Sequence, residues 1–181
     1  MRRLIAAINI TIDGVFDHRA GLPDEEIHQH YTELLKSADI ILYGRITYQL
    51  MQYWQTLIKN PSGEKTADDF AIAIDKIQKI VFSHQLKNTD WHSAQLATKP
   101  LEELARELKQ QPGKDILVGS RSLIIQLMKL KLIDEYQLCI HPVIAGNGLP
   151  LFENGIDLAI FKLRKTKSFM NGAITLYYTP A

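Results

Sequence analysis

Apolar residues recur along this chain in two rhythms, and the rhythm changes once. Short apolar runs at Leu4–Ile10, Ala38–Tyr43, Ile77–Ser83 and Asp115–Val118 predict strands. A strand covered on both faces carries little polar alternation, so such runs suit a parallel sheet. Amphipathic stretches separate them. Asp24-Glu25-Glu26-Ile27 opens a helix with acids in its first turn, where the helix dipole favours negative charge. Ile27, Tyr31, Leu34 and Leu35 then share one face. Further helices are predicted from Gly44 to about Tyr53, over Thr66–Asp75, from Pro100 to near Gln111, and from Gly119 to about Lys131. Residues 15–23 and 58–66 read as loops, and residues 84–98 as ambiguous, with a short strand near Ala94-Gln95-Leu96.

From Ile133 the pattern alternates instead. Glu135–Ile140, Phe161–Phe169 and Ala173–Tyr178 place apolar and polar side chains on opposite faces, as in antiparallel strands. Asn171-Gly172 is a strong hairpin dipeptide, and Gly146-Asn147-Gly148 marks another turn. Strands alternating with helices, followed by strands alone, predict one α/β domain over residues 1–181. Its central sheet is mostly parallel, and the C-terminal strands extend one edge.

Composition narrows the function classes. The 181 residues are 46% hydrophobic and 23% charged, which excludes a disordered or collagen-like chain. Lys and Arg total 21 against 20 Asp and Glu, a formal charge of +1, so the global basic excess of many nucleic-acid binders is missing. No apolar segment approaches the roughly 18 residues that span a bilayer. The N-terminal apolar run breaks at Asn9 and Asp13, too early for a signal peptide. The single cysteine, Cys139, sits in an alternating stretch and reads as a small buried strand residue. Together these features predict a cytoplasmic protein without nucleic-acid or membrane partners.

One pattern occurs twice. The strand ending at Tyr43 meets Gly44-Arg45-Ile46-Thr47, and the strand ending at Val118 meets Gly119-Ser120-Arg121-Ser122. Each junction sets a glycine and hydroxyls where a helix begins. Free N–H groups there attract anions, and glycine lets a phosphate approach the backbone. At the carboxyl ends of parallel strands, two such junctions can share a dinucleotide pyrophosphate. Neither junction is a G-x-G-x-x-G or P-loop sequence. Arg45 fits a phosphate partner or a solvated helix residue.

These residues resemble the dihydrofolate-reductase-like superfamily, and more closely the reductase domain at the C-terminus of the bacterial riboflavin-pathway deaminase–reductase. The matching segments are Thr11-Ile12-Asp13-Gly14, Leu42 to Tyr48, and Val81 to Leu86. A fourth, longer run joins Val118-Gly119-Ser120 to Leu132–Tyr136, Pro142–Gly148 and Leu151-Phe152. The resemblance implies a three-layer α/β/α fold and an NADPH-dependent reductase of a small heterocycle. A 5-amino-6-(5-phosphoribosylamino)uracil-type substrate is the first expectation and a dihydrofolate or pterin the second. It implies that Gly44, Arg45 and Thr47 face cofactor phosphates, that Ser83 lies near the adenosine ribose or its 2′-phosphate, and that Gly119 and Ser120 line the pyrophosphate. It also implies a homodimer. A dinucleotide-binding or interaction module without turnover is the alternative of another class.

The candidate catalytic carboxylates are Asp13 and Glu25. The resemblance sets Asp13 near the nicotinamide, although Asp-Gly after a strand also makes a routine turn. Glu25 lies where folate-reducing relatives carry a pterin-binding acid. Its spacing to Gly44 is longer than in them, which keeps it second to Asp13. His28 is weaker still, and His141, before Pro142, reads as structural. The loop over residues 15–23, flanked by Gly14 and holding Gly21, fits a closure over the nicotinamide or a plain connection equally. Trp54 and Trp91 read as packing or cleft-edge residues. No metal-ligand set is apparent, since His28 and His30 point to different helix faces.

Overall fold

The structure, a computed structural model, describes residues 1–19, 21–152 and 157–181. Ala20, within the predicted loop, lies outside the described residues. The elements in order are β1 (Leu4–Thr11), α1 (Glu25–Ser37), β2 (Ala38–Gly44), α2 (Arg45–Met51), α3 (Tyr53–Lys59), α4 (Lys65–Lys76), β3 (Gln78–Phe82) and β4 (Ala94–Leu96). Then follow α5 (Leu101–Gln110), β5 (Asp115–Val118), α6 (Arg121–Lys129), β6 (Glu135–His141), β7 (Phe161–Ser168) and β8 (Ile174–Pro180). The predicted rhythm change falls where the helices stop.

The strands form one sheet in the order β4-β3-β2-β5-β1-β6-β8-β7. The neighbours from β4 to β6 pair in parallel. The hairpin strands β8 and β7 add antiparallel. This is the expected α/β/α architecture. Alternate residues of the central strands face opposite layers, which is why both faces are apolar. Leu4, Ala6 and Ile8 of β1 pack with Leu42, Ile116 and Val118 under α5 and α6. Ile5, Ile41 and Leu117 instead join Leu35 of α1 and Phe70 and Ile74 of α4.

Local chemistry fixes the helix that frames the site. The Asp24 carboxylate caps α1 by accepting from the Ile27 amide at 2.9 Å, and Glu25 and Glu26 complement the dipole. Ile27 and Leu35 are buried while Tyr31 and Leu34 are half-buried, the face that the sequence predicts. Cys139 is fully buried with Ile27, Phe169 and Ala173.

At the β3–β4 edge a buried lysine organises the turn. Lys79 Nζ donates to the Ile77 carbonyl at 2.9 Å and to Ser93 Oγ at 2.6 Å, and it lies 4.0 Å from the Trp91 ring centroid. Burial pulls its pKa down to about 7. The Trp91 indole N–H donates to Asp75. Trp91 is therefore a core residue, one of its two expected roles.

The loop after β1 is zipped to the loop after β6. Ile12 N donates to the Val143 carbonyl, Phe16 N to Leu149, and Leu151 N to Gly14. Gly148, at φ +135°, closes this zipper, and a Cβ there would come within 2.6 Å of Val15 Cγ1. Gly148→Ala is expected to destabilise the fold by about 1–3 kcal/mol, through strained backbone and displaced Val15. Equilibrium unfolding in urea measures it, and a variant as stable as the parent would contradict this packing.

Candidate active site

The parallel register of β2 on β5 pairs Leu42 with Val118, so both chains leave the sheet side by side. Gly44 is the N-cap of α2 and Ser120 the N-cap of α6. The Gly44 amide donates to Ser120 Oγ at 2.8 Å, which joins the two glycine junctions directly. Ser120 is 1% exposed, so its hydroxyl braces the junction rather than facing solvent. A Cβ on Gly44 would stand 3.4 Å from Ser122 Oγ, and one on Gly119 would stand 3.6 Å from the Ala7 carbonyl. Either Cβ would make only ordinary contact, so the glycines are not forced by packing here.

Two clefts open here, and Thr47 lines both. The first, about 280 Å³, lies between β1, α1 and α2–α3. Its walls are largely apolar, from Ile27, Leu35, Met51, Trp54 and Phe70. Trp54 and Phe70 meet edge to face at 4.5 Å, and His28 stands 5.6 Å from Trp54. Asn9, Asp17, His28, Tyr31 and His141 supply the polar groups, and Gly119 reaches this cleft from β5. Phe16, Asp17, His18, Gly21 and Pro23 line it from the loop over residues 15–23. The second cleft, about 710 Å³, is lined by Gly44, Arg45, Ser83, His84, Lys99 and Ser122, among others.

The predicted residues separate accordingly. Gly44, Arg45, Thr47 and Ser83 meet at the second cleft, Gly119 and Thr47 at the first, and Ser120 sits buried between the junctions. The two carboxylates do not join them. Asp13 lines neither cleft. Its oxygens accept from Thr11 Oγ1 at 2.5 Å, Ala145 N at 3.1 Å and Gly146 N at 2.8 Å. These donors hold its pKa down to about 2, with the Thr11 hydroxyl contributing most. Asp13 thus ties the loop after β1 to the loop after β6, the turn-forming role of an Asp-Gly pair extended across two loops. Glu25 is exposed on the first turn of α1 and also lines neither cleft.

His28, a weak candidate from the sequence, gains importance here, and Asn9 and His141 gain a place that the sequence did not give them. His28 is half-buried in the first cleft, where burial lowers its pKa. Asn9 ends the apolar run of β1 and faces the cleft. His141 is buried against it, so the structural reading of His141 leaves out its place at the site. The signal that finds them is register: β1 and β6 pair in parallel, with Asn9 opposite Cys139 and Thr11 opposite His141. No sequence spacing reveals that pairing. Among the described residues no cluster of His, Cys, Asp or Glu fits a metal ion, and no helix is long and apolar enough to cross a membrane.

The sequence model of the RibD C-terminal domain matches residues 2–175. The chain belongs to the RibD C-terminal domain family. This RibD C-terminal domain is 33% identical to the Bacillus subtilis protein YyaP over 98% of its own length and 94% of YyaP. A pyrimidine reductase-like protein of Corynebacterium diphtheriae superposes with TM-score 0.68 at 17% identity, covering 99% of this chain and 92% of that one. A diaminohydroxyphosphoribosylaminopyrimidine deaminase/5-amino-6-(5-phosphoribosylamino)uracil reductase of Thermotoga maritima superposes with TM-score 0.64 at 16% identity. There the overlap covers 99% of this chain and 57% of that one. The dihydrofolate-reductase-like fold expected from the sequence is the fold found.

The Asp13 tether has a pH signature. Its folded pKa lies below the ordinary value of 3.8, so the stability it adds is full above that value and fades as pH falls towards about 2. Asp13→Asn is expected to lower stability near neutral pH, with the deficit shrinking across that acid window. Urea titrations at successive pH values measure it; a deficit that ignores pH there would contradict the tether.

Proposed function

We propose that this domain is an NADPH-dependent reductase of a small heterocycle, with a 5-amino-6-(5-phosphoribosylamino)uracil-type compound the first candidate substrate. The observation that carries the reading is the pair of clefts joined at Thr47 and the glycine junctions. A dinucleotide needs a polar groove for its adenosine end, a backbone cradle for its pyrophosphate, and a dry pocket for its reacting ring. The second cleft, the Gly44–Ser120 junction and the first cleft match these needs in that order. The donor set fits such a cofactor, with glycines at both strand-to-helix junctions and hydroxyls and Arg45 beside them on the second cleft. A pyrimidine reductase-like protein and a deaminase/reductase among the structural neighbours support the same class of chemistry.

A bound nicotinamide would supply a hydride to a C=N or C=O carbon whose heteroatom then takes a proton. The chain's own residues do the rest. Gly44, Thr47, Gly119 and Ser122 border the space for the pyrophosphate. Arg45 lies on the second cleft with a neutral partner, Gln49 Oε1, at 3.1 Å. Lys99 on the same cleft faces Glu103 at 3.1 Å and also Glu107. Arg45 is therefore the cation placed to meet a 2′-phosphate, since a planar guanidinium can bind it bidentately. Phe16, Trp54 and Phe70 exclude water from the first cleft.

Proton supply falls to His28 in this reading. Asp17 pairs with Arg19 at 2.8 Å and is held far below the usual carboxylate range by that guanidinium. Burial raises the Tyr31 phenol. The His28 ring lines the cleft beside Trp54 and makes no hydrogen bond to the described residues, which leaves its nitrogens open to substrate or water. Asp13 and Glu25 are not assigned a part in the reaction.

NADPH is expected to raise the melting temperature of the protein, and 5-amino-6-(5-phosphoribosylamino)uracil to be reduced at its expense. No shift with NADPH would overturn the reading. A shift without oxidation across pyrimidine and pterin substrates would favour a dinucleotide-binding module without turnover. Arg45→Ala is expected to weaken NADPH by about tenfold while NADH changes less; equal weakening would remove Arg45 from 2′-phosphate recognition.

A homodimer belongs to the same proposal. Ile144, Leu149, Leu158, Ile160 and Met170 are each more than half exposed. Such apolar surface favours an interface between copies. A monomer in light scattering would contradict it.

A further inference from the structure

The polar end of the first cleft holds a hydrogen-bond arrangement that fixes one donor. His141 Nδ1 accepts from the Leu22 amide at 3.1 Å. A backbone N–H only donates, so Nδ1 carries no proton and the neutral ring carries its proton on Nε2. Nε2 lies 3.1 Å from Asn9 Oδ1, to which it donates. The Tyr31 hydroxyl donates to the same oxygen at 2.8 Å. Two donors converge on one face of the Asn9 amide, so that face must be the oxygen and the other the NH2 group. Asn9 Nδ2 makes no hydrogen bond to the described residues, although Asn9 lines the cleft. His141 is buried, which favours its neutral form and keeps the tautomer.

We infer that Asn9 is the specificity-determining residue of the first cleft: its Nδ2 donates to a carbonyl oxygen or unprotonated ring nitrogen of a planar heterocycle, while His141 and Tyr31 hold the amide in that orientation. The inference rests on reading the first cleft as the substrate site. It goes further by stating which atom of the substrate is read and by which atom. The surrounding walls, Ile27, Leu35, Met51 and Trp54, take the flat apolar faces of such a ring. A ligand without an acceptor would cover the Asn9 donor and leave it unpaired, and a site built to hydrogen-bond rejects such analogues strongly. Tyr31 comes from α1, Asn9 from β1 and His141 from β6. The donor therefore has rigid elements behind it rather than the loop alone.

The variant that separates recognition from packing is Asn9→Asp. It keeps an acceptor for Tyr31 and His141 at nearly the same volume and removes the donor. Three probes are used: lumazine, a planar ring with carbonyl acceptors; indole, a planar ring with none; and NADPH. At neutral pH the parent is expected to bind lumazine, and Asn9→Asp to bind it at least about tenfold more weakly, with indole within about twofold of the parent, while NADPH is titrated against the parent alone. Tyr31→Phe is expected to show a smaller loss for lumazine alone. Nitrogen-15 spectra of the parent are expected to show His141 neutral and protonated on Nε2. Equal lumazine binding by parent and Asn9→Asp, no lumazine binding by the parent, or a protonated Nδ1 would each overturn the inference. A loss for indole equal to that for lumazine would do so too, because it would reduce Asn9 to packing. These results leave the NADPH arm intact, whereas loss of NADPH binding by the parent would strike the reductase reading itself.

Discussion

The parallel pairing of β2 with β5 is the constraint on which the site depends. It brings Gly44 and Ser120, 76 positions apart in the chain, to within one hydrogen bond. Without that register the two junctions would be separate loop-to-helix turns of a common kind. With it, the two junctions meet at the carboxyl edge of the sheet, and the two clefts open there. The anchors are apolar: Leu42, Ile116 and Val118 are fully buried in the layer below α5 and α6, so a shift by one residue would turn them to the other face.

The proposed dinucleotide site would not need bulk charge, which suits a nearly neutral chain. It would draw on the helix N-termini after the two glycine junctions and on the Arg45 guanidinium at the edge. The first cleft is built on the opposite principle. Its walls are aromatic and aliphatic, and Asn9, Tyr31 and His141 are tied to one another, which orients them before any ligand arrives.

The strands, most helices and the glycine junctions were legible in the sequence because each rests on local chemistry: apolar runs, a capping Asp24, an Asn171-Gly172 hairpin, whereas α3 (Tyr53–Lys59) was not foreseen. The short strand at Ala94–Leu96 was legible for the same reason. The content of the first cleft was not. Asn9 and His141 lie 132 positions apart, and only the pairing of β1 with β6 unites them. Asp13 misled in the other direction. A carboxylate after the first strand suggests chemistry, but which way it turns depends on the loop over residues 142–148, whose amides capture it. Glu25 follows a capping residue on an exposed turn, where acids serve the helix dipole, and no sequence feature separates that use from catalysis.

The most direct test of the whole account is a crystal structure of the protein with NADPH. The account predicts the adenosine end in the cleft lined by Arg45 and Ser83, the pyrophosphate over Gly44 and Gly119, and the nicotinamide in the cleft of Trp54, Asn9 and His141. A dinucleotide bound elsewhere, or one whose nicotinamide lies outside the first cleft, would contradict it.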